Sequence, residues 1–134
     1  MTERHREPSR VDDRGIRPPR AYAVERRDAP AGVVLLTLEG ELDLAAAPAM
    51  RGRLESARAE GARAVVLDFS AVTFVDSAAL HELLLGHQRL QAGGAQLLVA
   101  GAARPVARLL ELTGSAGVLT LVPTVEQALE RVAA

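Results

Sequence analysis

Short apolar runs alternate along the chain with stretches whose apolar residues recur at helical spacing. The runs predict strands over residues 21–25, 33–38, 64–68, 96–100 and 118–122. The other stretches, bounded by proline, glycine or capping residues, predict helices at about 48–60, 77–92, 105–113 and 124–132. Strands that alternate with helices form mostly parallel sheets, and a short turn lets the first two strands pair antiparallel. The predicted fold class is therefore α/β, with a mixed, mostly parallel sheet of four to five strands and about four helices.

The first 20 residues have a different character. They hold six arginines, four acids and three prolines, and only Val11 and Ile16 are sizeable apolar side chains. Such a segment buries too little surface to offset its ordering entropy. We expect a disordered N-terminal tail over residues 1–20 and one domain over 21–134; the alternative for the tail is a contact arm for an acidic partner.

Composition excludes several classes of function. The chain has no cysteine, which excludes a disulfide framework, a thiolate zinc site and a cysteine nucleophile. A net charge of −1 argues against a domain built to bind nucleic acid. Its three histidines are scattered and it has no glycine-rich phosphate loop, so no metal or cofactor site is expected. The arginines along the helices, Arg51 among them, are expected to be solvated.

No apolar run approaches the roughly 20 residues of a membrane span. The N-terminus has no apolar segment of the kind that marks a secretory signal. We therefore expect a cytoplasmic protein that does not associate with membranes.

Two carboxylates follow predicted strands at points where helices begin. Asp76 and Ser77 lie at one such junction, and Asp43 lies at another. The carboxyl ends of parallel strands are where sites gather, although Asp and Ser are also preferred helix caps. A phosphate of about −1.5 to −2 charge added beside these acids would change the local field strongly. This pattern favours a protein-binding surface that phosphorylation could gate.

A hydrolase is the alternative from a different class. Ser77 and His81 are four residues apart and share a helix face, with Asp76 beside them. The spacing does not aim the imidazole at the serine oxygen, and no nucleophile-elbow motif surrounds Ser77. A true pair would bring the Ser77 Oγ within about 3 Å of an imidazole nitrogen.

Three segments together resemble the STAS domain of bacterial anti-sigma factor antagonists: Gly40-Glu41-Leu42-Asp43, Leu67-Asp68-Phe69-Ser70, and Phe74 to Leu80. The resemblance covers about residues 21–134. It implies a cytoplasmic binding protein, not an enzyme, that regulates transcription. The implied partner is an anti-sigma factor, a serine kinase with a histidine-kinase-like ATPase fold, whose capture releases a sigma factor. The implied partner surface comprises Asp43, Asp76, Ser77, Ala78, Ala79 and Leu80, with a monomer or weak dimer as the expected state.

One departure from the family pattern matters. The usual phosphoacceptor follows Asp-Ser, and here that position is Ala78, which has no hydroxyl; the family's next glycine is Ala79. Ser77 is the neighbouring hydroxyl and so the candidate for phosphorylation, although it would also suit a helix cap. Two hypotheses follow: an antagonist that this phosphorylation cannot switch off, or a STAS scaffold or sensor module outside sigma factor control.

Overall fold

The structure is a computed structural model that describes the backbone of residues 2–6 and, in full, residues 22–133. It contains a sheet flanked by helices. Two short 3-10 turns, at Pro30–Gly32 and Ser115–Gly117, connect elements of the sheet and helices. In chain order the elements are β1 (Thr2–Arg6), β2 (Tyr22–Ala29), β3 (Val33–Leu42), α1 (Ala47–Ala59), β4 (Ala64–Val75), α2 (Ser77–Ala92), β5 (Gln96–Ala100), α3 (Arg104–Leu112), β6 (Thr120–Val122) and α4 (Val125–Ala133).

The strands lie side by side in the order β1-β2-β3-β4-β5-β6. The pairs β1·β2 and β2·β3 are antiparallel, and the remaining pairs are parallel. The predicted α/β class is confirmed, with five strands, β2 to β6, and four helices in the domain. The sheet is sequential because each parallel crossover passes through a helix and returns to the next position.

Strand β1 departs from the expectation of a disordered tail. Thr2–Arg6 forms five consecutive pairs with β2, and the rest of the predicted tail lies outside the described residues. The apolar pattern could not reveal this strand, because backbone pairing to an existing edge needs no apolar face of its own. The interpretation of residues 1–20 as wholly disordered is therefore wrong at Thr2–Arg6.

Several boundaries also differ from the sequence prediction: β2 continues to Ala29 rather than residue 25, and β4 continues to Val75 rather than residue 68. Gly40 to Leu42 belongs to β3 rather than to a loop, since Leu42 is still in register with Val75. Strand β6 begins at Thr120 instead of Val118. The amides of Val118 and Leu119 donate to the Ser115 carbonyl at 3.0 and 2.8 Å, so the 3-10 turn takes the groups that a longer strand would need.

The core has two parts, one on each face of the sheet. Helices α1, α2 and α3 cover the larger one, which contains Met50, Leu83 and Leu110 at 2% exposure or less. Helix α4 covers the smaller one with Ala128 and Val132. This layering places the N-termini of α1 and α2 together on one face, at the edge where β3 and β4 end.

Helices α1 and α2 pack closely at Gly86. A Cβ built on Gly86 would lie 2.6 Å from Leu54 Cδ1, far inside ordinary contact distance. Since Gly86 is mid-helix, where glycine costs about 1 kcal/mol relative to alanine, close packing explains its presence.

Candidate partner-binding surface

The candidate surface lies at the carboxyl ends of the adjacent parallel strands β3 and β4. The backbone N–H of Asp76, just after β4, donates to the carbonyl of Leu42 at 2.9 Å. Because Asp43 directly follows Leu42, this hydrogen bond holds the two aspartates at neighbouring positions on one edge. The structure thus brings together the two carboxylates that the sequence placed at strand-to-helix junctions.

Asp43 closes the turn that leads into α1. Its Oδ1 accepts hydrogen bonds from the amides of Ala45 and Ala46 at 3.0 and 3.3 Å. Its carbonyl accepts from Ala46 and Ala47 at 3.0 and 3.1 Å. The turn before the helix is therefore fixed by one carboxylate oxygen and one carbonyl of the same residue.

Asp76 is the N-cap of α2. Its backbone is extended, with φ −91° and ψ −179°, and its Oδ1 accepts from the Ala79 amide at 2.9 Å. Asp76 therefore satisfies one of the four unpaired donors at the start of the helix. Ser77, which the sequence also offered as a cap, is instead the first helical residue, and its exposed hydroxyl has no hydrogen bond to the described residues.

In both aspartates only one of the two carboxylate oxygens takes part in the capping hydrogen bonds. Within residues 22–133, the Oδ2 atoms of Asp43 and Asp76 accept no hydrogen bond. Both side chains are half-buried, so their charges reach solvent while their Oδ1 atoms are fixed by backbone amides. The edge can therefore offer two positioned carboxylate oxygens to a basic partner.

Two exposed apolar side chains flank these acids, and sequence reasoning did not single them out as candidates. Leu44 is 73% exposed and Phe74 is 43% exposed. Leu44 immediately follows Asp43, while Phe74 is in register with Glu41 at the end of the β3·β4 ladder. The available signal was position alone: each lies one or two residues from a capping aspartate. We call Asp43, Leu44, Phe74, Asp76 and Ser77 the acidic edge.

The other predicted contact residues contribute less accessible surface. Ala79 is fully buried, so its side chain cannot contact a partner. Ala78 is half-buried, and Leu80 is half-buried against the main core. The small Ala79 side chain instead lets the first turn of α2 pack against the sheet.

The geometry gives no support to the hydrolase alternative. Ser77 and His81 are both exposed, and neither forms a hydrogen bond with the other. The Asp76 carboxylate is used as a helix cap rather than as a partner for the imidazole. Within the described ranges, no group of three or more acids and histidines could hold a metal ion.

An ion pair joins the two helices that carry the acidic edge. Arg51 of α1 donates from Nε and Nη2 to Oε2 of Glu82 at 3.1 and 2.6 Å. Glu82 is 6% exposed, and the hydrogen bonds from Arg51 hold the pKa of its carboxyl below the ordinary value. Arg51 itself is 57% exposed, as expected of a solvated arginine, but the sequence did not reveal that it pairs with a buried acid.

A second ion-pair cluster is centred on Arg26 of β2. Its guanidinium, 10% exposed, bonds Glu60 at 2.9 and 2.6 Å and Asp28 at 2.9 Å. The hydrogen bond to Glu60 is the largest cause that raises the pKa of Arg26, and it lowers the pKa of Glu60. This cluster ties β2 to the end of α1.

An open groove between α1 and α2, lined by Glu55, Arg58, Arg89 and Ala92, has a volume of about 530 Å³. The cavity beside it is too small for an organic ligand. It has a volume of about 10 Å³ and is lined by Leu54, Glu82 and Gly86, among others. That is room for about one water molecule. In residues 22–133 no helix is long and apolar enough to cross a bilayer.

Comparison with known proteins agrees with the fold. A family model of the STAS domain matches residues 25–128, so the chain belongs to the STAS domain family. An anti-sigma factor antagonist from Mycobacterium paratuberculosis is 30% identical, with a TM-score of 0.75 over 84% of this chain and 95% of that one. The anti-sigma factor antagonist SpoIIAA of Bacillus, in its unphosphorylated form, is 24% identical, with a TM-score of 0.71 over 81% and 95%.

The same fold also occurs in another context. A sulfate transporter family protein from Wolinella succinogenes is 20% identical, with a TM-score of 0.71 over 79% of this chain and 88% of that one. Membership of the STAS family is thus confirmed, and it defines a fold that serves more than one class of protein.

Proposed function

We propose that the protein is an anti-sigma factor antagonist, a binding protein of the cytoplasm rather than an enzyme. It binds an anti-sigma factor, a serine kinase with a histidine-kinase-like ATPase fold, and so releases a sigma factor for transcription. The observation that carries the proposal is the acidic edge, where two exposed apolar side chains lie beside two aspartates that cap the following turn or helix. The 30% identity to an anti-sigma factor antagonist over most of both chains supports it.

The chemistry of the acidic edge specifies the partner surface. Phe74 is the stronger candidate for the centre of an interface, since aromatic residues are enriched there, and Leu44 adds exposed apolar surface beside the same acids. The carboxylates of Asp43 and Asp76 favour a basic rim on the partner, since opposite potentials steer association and like charges oppose it. The partner therefore needs an apolar depression with arginine or lysine beside it.

Phosphorylation is expected to act differently here from the family pattern. Ala78, at the usual acceptor position, has no hydroxyl, and Ser77 is the exposed hydroxyl within the edge. A phosphate on Ser77 would suit the start of α2 electrostatically, so the fold would tolerate it. It would add negative charge beside Asp76 and alter the contact with the partner. We propose that the family's usual phosphorylation cannot switch this antagonist off, because Ala78 stands at the acceptor position, and that it stays constitutively competent to bind.

The test compares two leucines of equal exposure. Leu44 and Leu112 are each 73% exposed. Helix α3 starts at the carboxyl end of β5 and runs back along the sheet, and Leu112 is its last residue. Leu112 therefore lies toward the amino ends of the parallel strands, away from the acidic edge. Wild type, Leu44→Asp and Leu112→Asp would capture proteins from native cell extract with ADP or ATP present, and mass spectrometry would identify what binds.

The proposal predicts that wild type and Leu112→Asp enrich an ATPase-fold serine kinase, and that Leu44→Asp loses at least about tenfold of it. Equal capture by both variants would place the contact elsewhere. If no such kinase binds wild type under either nucleotide, the alternative of a STAS scaffold or sensor outside sigma control takes its place. The observation that favours this alternative is the pair Ala78 and Ala79 in place of the family's acceptor and glycine. Phosphate found on Ser77 of this protein when it is recovered with the kinase would contradict constitutive competence.

A further inference from the structure

Arg51 presents an anchored guanidinium at the seam between α1 and α2. Its Nε and Nη2 both donate to Oε2 of Glu82, at 3.1 and 2.6 Å. The side chain of Arg51 is 57% exposed and that of Glu82 only 7%, so a protein that approaches the seam meets the arginine and not the acid beneath it. In the part of the chain that the structure describes, Nη1 of Arg51 donates to no other group.

This guanidinium lies about one helical turn from the acidic edge. Arg51 is the fifth residue of α1 and Glu82 is the sixth of α2, so each lies about 6 to 8 Å along its helix from the end at the edge. Ala78 precedes Glu82 by four residues and therefore shares its side of α2. The surface is thus continuous from Asp76, past Ala78, to Arg51.

Stability alone does not explain a buried acid at this seam. Taking a carboxylate out of water is costly, and a buried ion pair is often no more stabilising than apolar side chains of similar volume. The pair does anchor the arginine, because two donors on one acceptor oxygen restrict the rotation of a long side chain. An arginine that is already anchored has less side-chain freedom to lose when a partner binds.

We propose that Arg51, held by Glu82, extends the acidic edge into a partner surface of two signs and binds a carboxylate of the partner. This inference rests on the proposed function, since the partner is the anti-sigma factor. That protein would carry basic side chains opposite Asp43 and Asp76, and an acidic side chain about one helical turn away, opposite Arg51. A pattern of both signs selects among partners, because a wrong register brings like charges together.

Titration of each variant with the kinase captured by wild type tests this role, and Arg58 provides the matched control. Arg58 lies on the same side of α1 as Arg51, two turns further from the acidic edge. It likewise donates from Nε and Nη2 to a glutamate, Glu55. Arg51→Gln should weaken binding by roughly three- to tenfold at low salt, and the loss should shrink as salt screens the charge. Arg58→Gln should change the affinity by less than about twofold.

Two further variants separate the contact from folding. Removing Arg51 alone leaves Glu82 buried and unpaired, which destabilises the fold. The double variant Arg51→Gln, Glu82→Gln removes both charges together, so it leaves no unpaired carboxylate, and it should bind as weakly as Arg51→Gln. Arg51→Lys keeps the charge without the planar fork and should recover part of the lost affinity. Urea midpoints establish that each variant is folded under the conditions of the titration.

Several results would overturn the proposal. Wild-type affinity in the double variant would reduce the pair to a contact between helices. An equal loss in Arg58→Gln would assign the effect to net charge rather than to position. Arg51→Lys no tighter than Arg51→Gln, or a loss in Arg51→Gln that salt does not change, would contradict binding through charge.

The variant Leu44→Asp distinguishes this inference from the proposed function. If Leu44→Asp loses the kinase while the Arg51 variants retain wild-type affinity, the proposed function stands and this inference fails. If wild type itself binds no such kinase, the proposed function fails, and the role of Arg51 that rests on it fails too.

Discussion

Asp76 has a capping role that the structure shows and a binding role that we propose, and two substitutions separate them. Asp76→Ala removes both the hydrogen bond from the Ala79 amide and the negative charge. Asp76→Asn removes only the charge, because asparagine is an equally good N-cap. The backbone bond from the Asp76 amide to Leu42 is retained in both variants.

The stability effects follow from the geometry of the cap. The 2.9 Å hydrogen bond and extended backbone are those of a well-formed cap, whose loss costs about 1 kcal/mol, within a range of roughly 0.5–2 kcal/mol. The charge at the start of α2 adds about 0.3–1 kcal/mol at low ionic strength. Urea unfolding should therefore rank wild type above Asp76→Asn, and Asp76→Asn above Asp76→Ala.

Binding should rank the same proteins differently. If the partner reads the carboxylate charge, Asp76→Asn and Asp76→Ala should lose similar affinity for the captured kinase, and the loss should shrink as salt screens the charge. The measurement is a titration of each variant with that kinase at two salt concentrations. Affinity in Asp76→Asn equal to that of wild type would refute the binding role and leave Asp76 as a cap alone. Equal urea midpoints for Asp76→Ala and wild type would refute the cap argument.

Two further predictions concern the contact between α1 and α2. Gly86→Ala should destabilise the protein by about 1 kcal/mol in urea titrations, since overpacking costs roughly 1–3 kcal/mol against a helix-propensity gain of about 1 kcal/mol. In a Leu54→Ala background, where the clashing Cδ1 is gone, the same change should stabilise; a loss in both backgrounds would contradict the packing argument. Because Arg51 lowers the pKa of Glu82 below its ordinary value of 4.5, the carboxylate stabilises the fold above that pH, and its contribution is lost as pH falls through the folded-state pKa. Urea midpoints of Glu82→Gln should accordingly depend less on pH in the acid range than those of wild type, and identical pH profiles would contradict this.

Local patterns predicted the mixed, mostly parallel α/β fold because each element carries its own periodicity. They also located both capping aspartates, since strand-to-helix junctions are readable from neighbouring residues. Long-range partners left no such trace. Arg51 and Glu82 lie 31 positions apart on different helices. The spacing of the arginines along α1 does not reveal that one of them lies beside a buried acid of another helix. Strand β1 was missed because backbone pairing to the edge of the sheet, not apolar spacing, defines it.

In the binding role that we propose, each aspartate of the acidic edge uses one carboxylate oxygen for the fold and leaves the other for a partner. In Asp43 and Asp76 alike, Oδ1 is held by backbone amides of the following helix or turn. Their Oδ2 atoms accept no hydrogen bond in the described part of the chain, so the fold orients oxygens that it does not itself consume. The partner that we propose would meet carboxylates already oriented by the fold, which lowers the ordering cost of binding. A phosphate on Ser77 would add negative charge and three acceptor oxygens at this surface, next to the capping bond of Asp76, which does not itself involve Ser77. Because the family's acceptor position is Ala78, the proposed antagonist presents this surface without the usual phosphorylation switch.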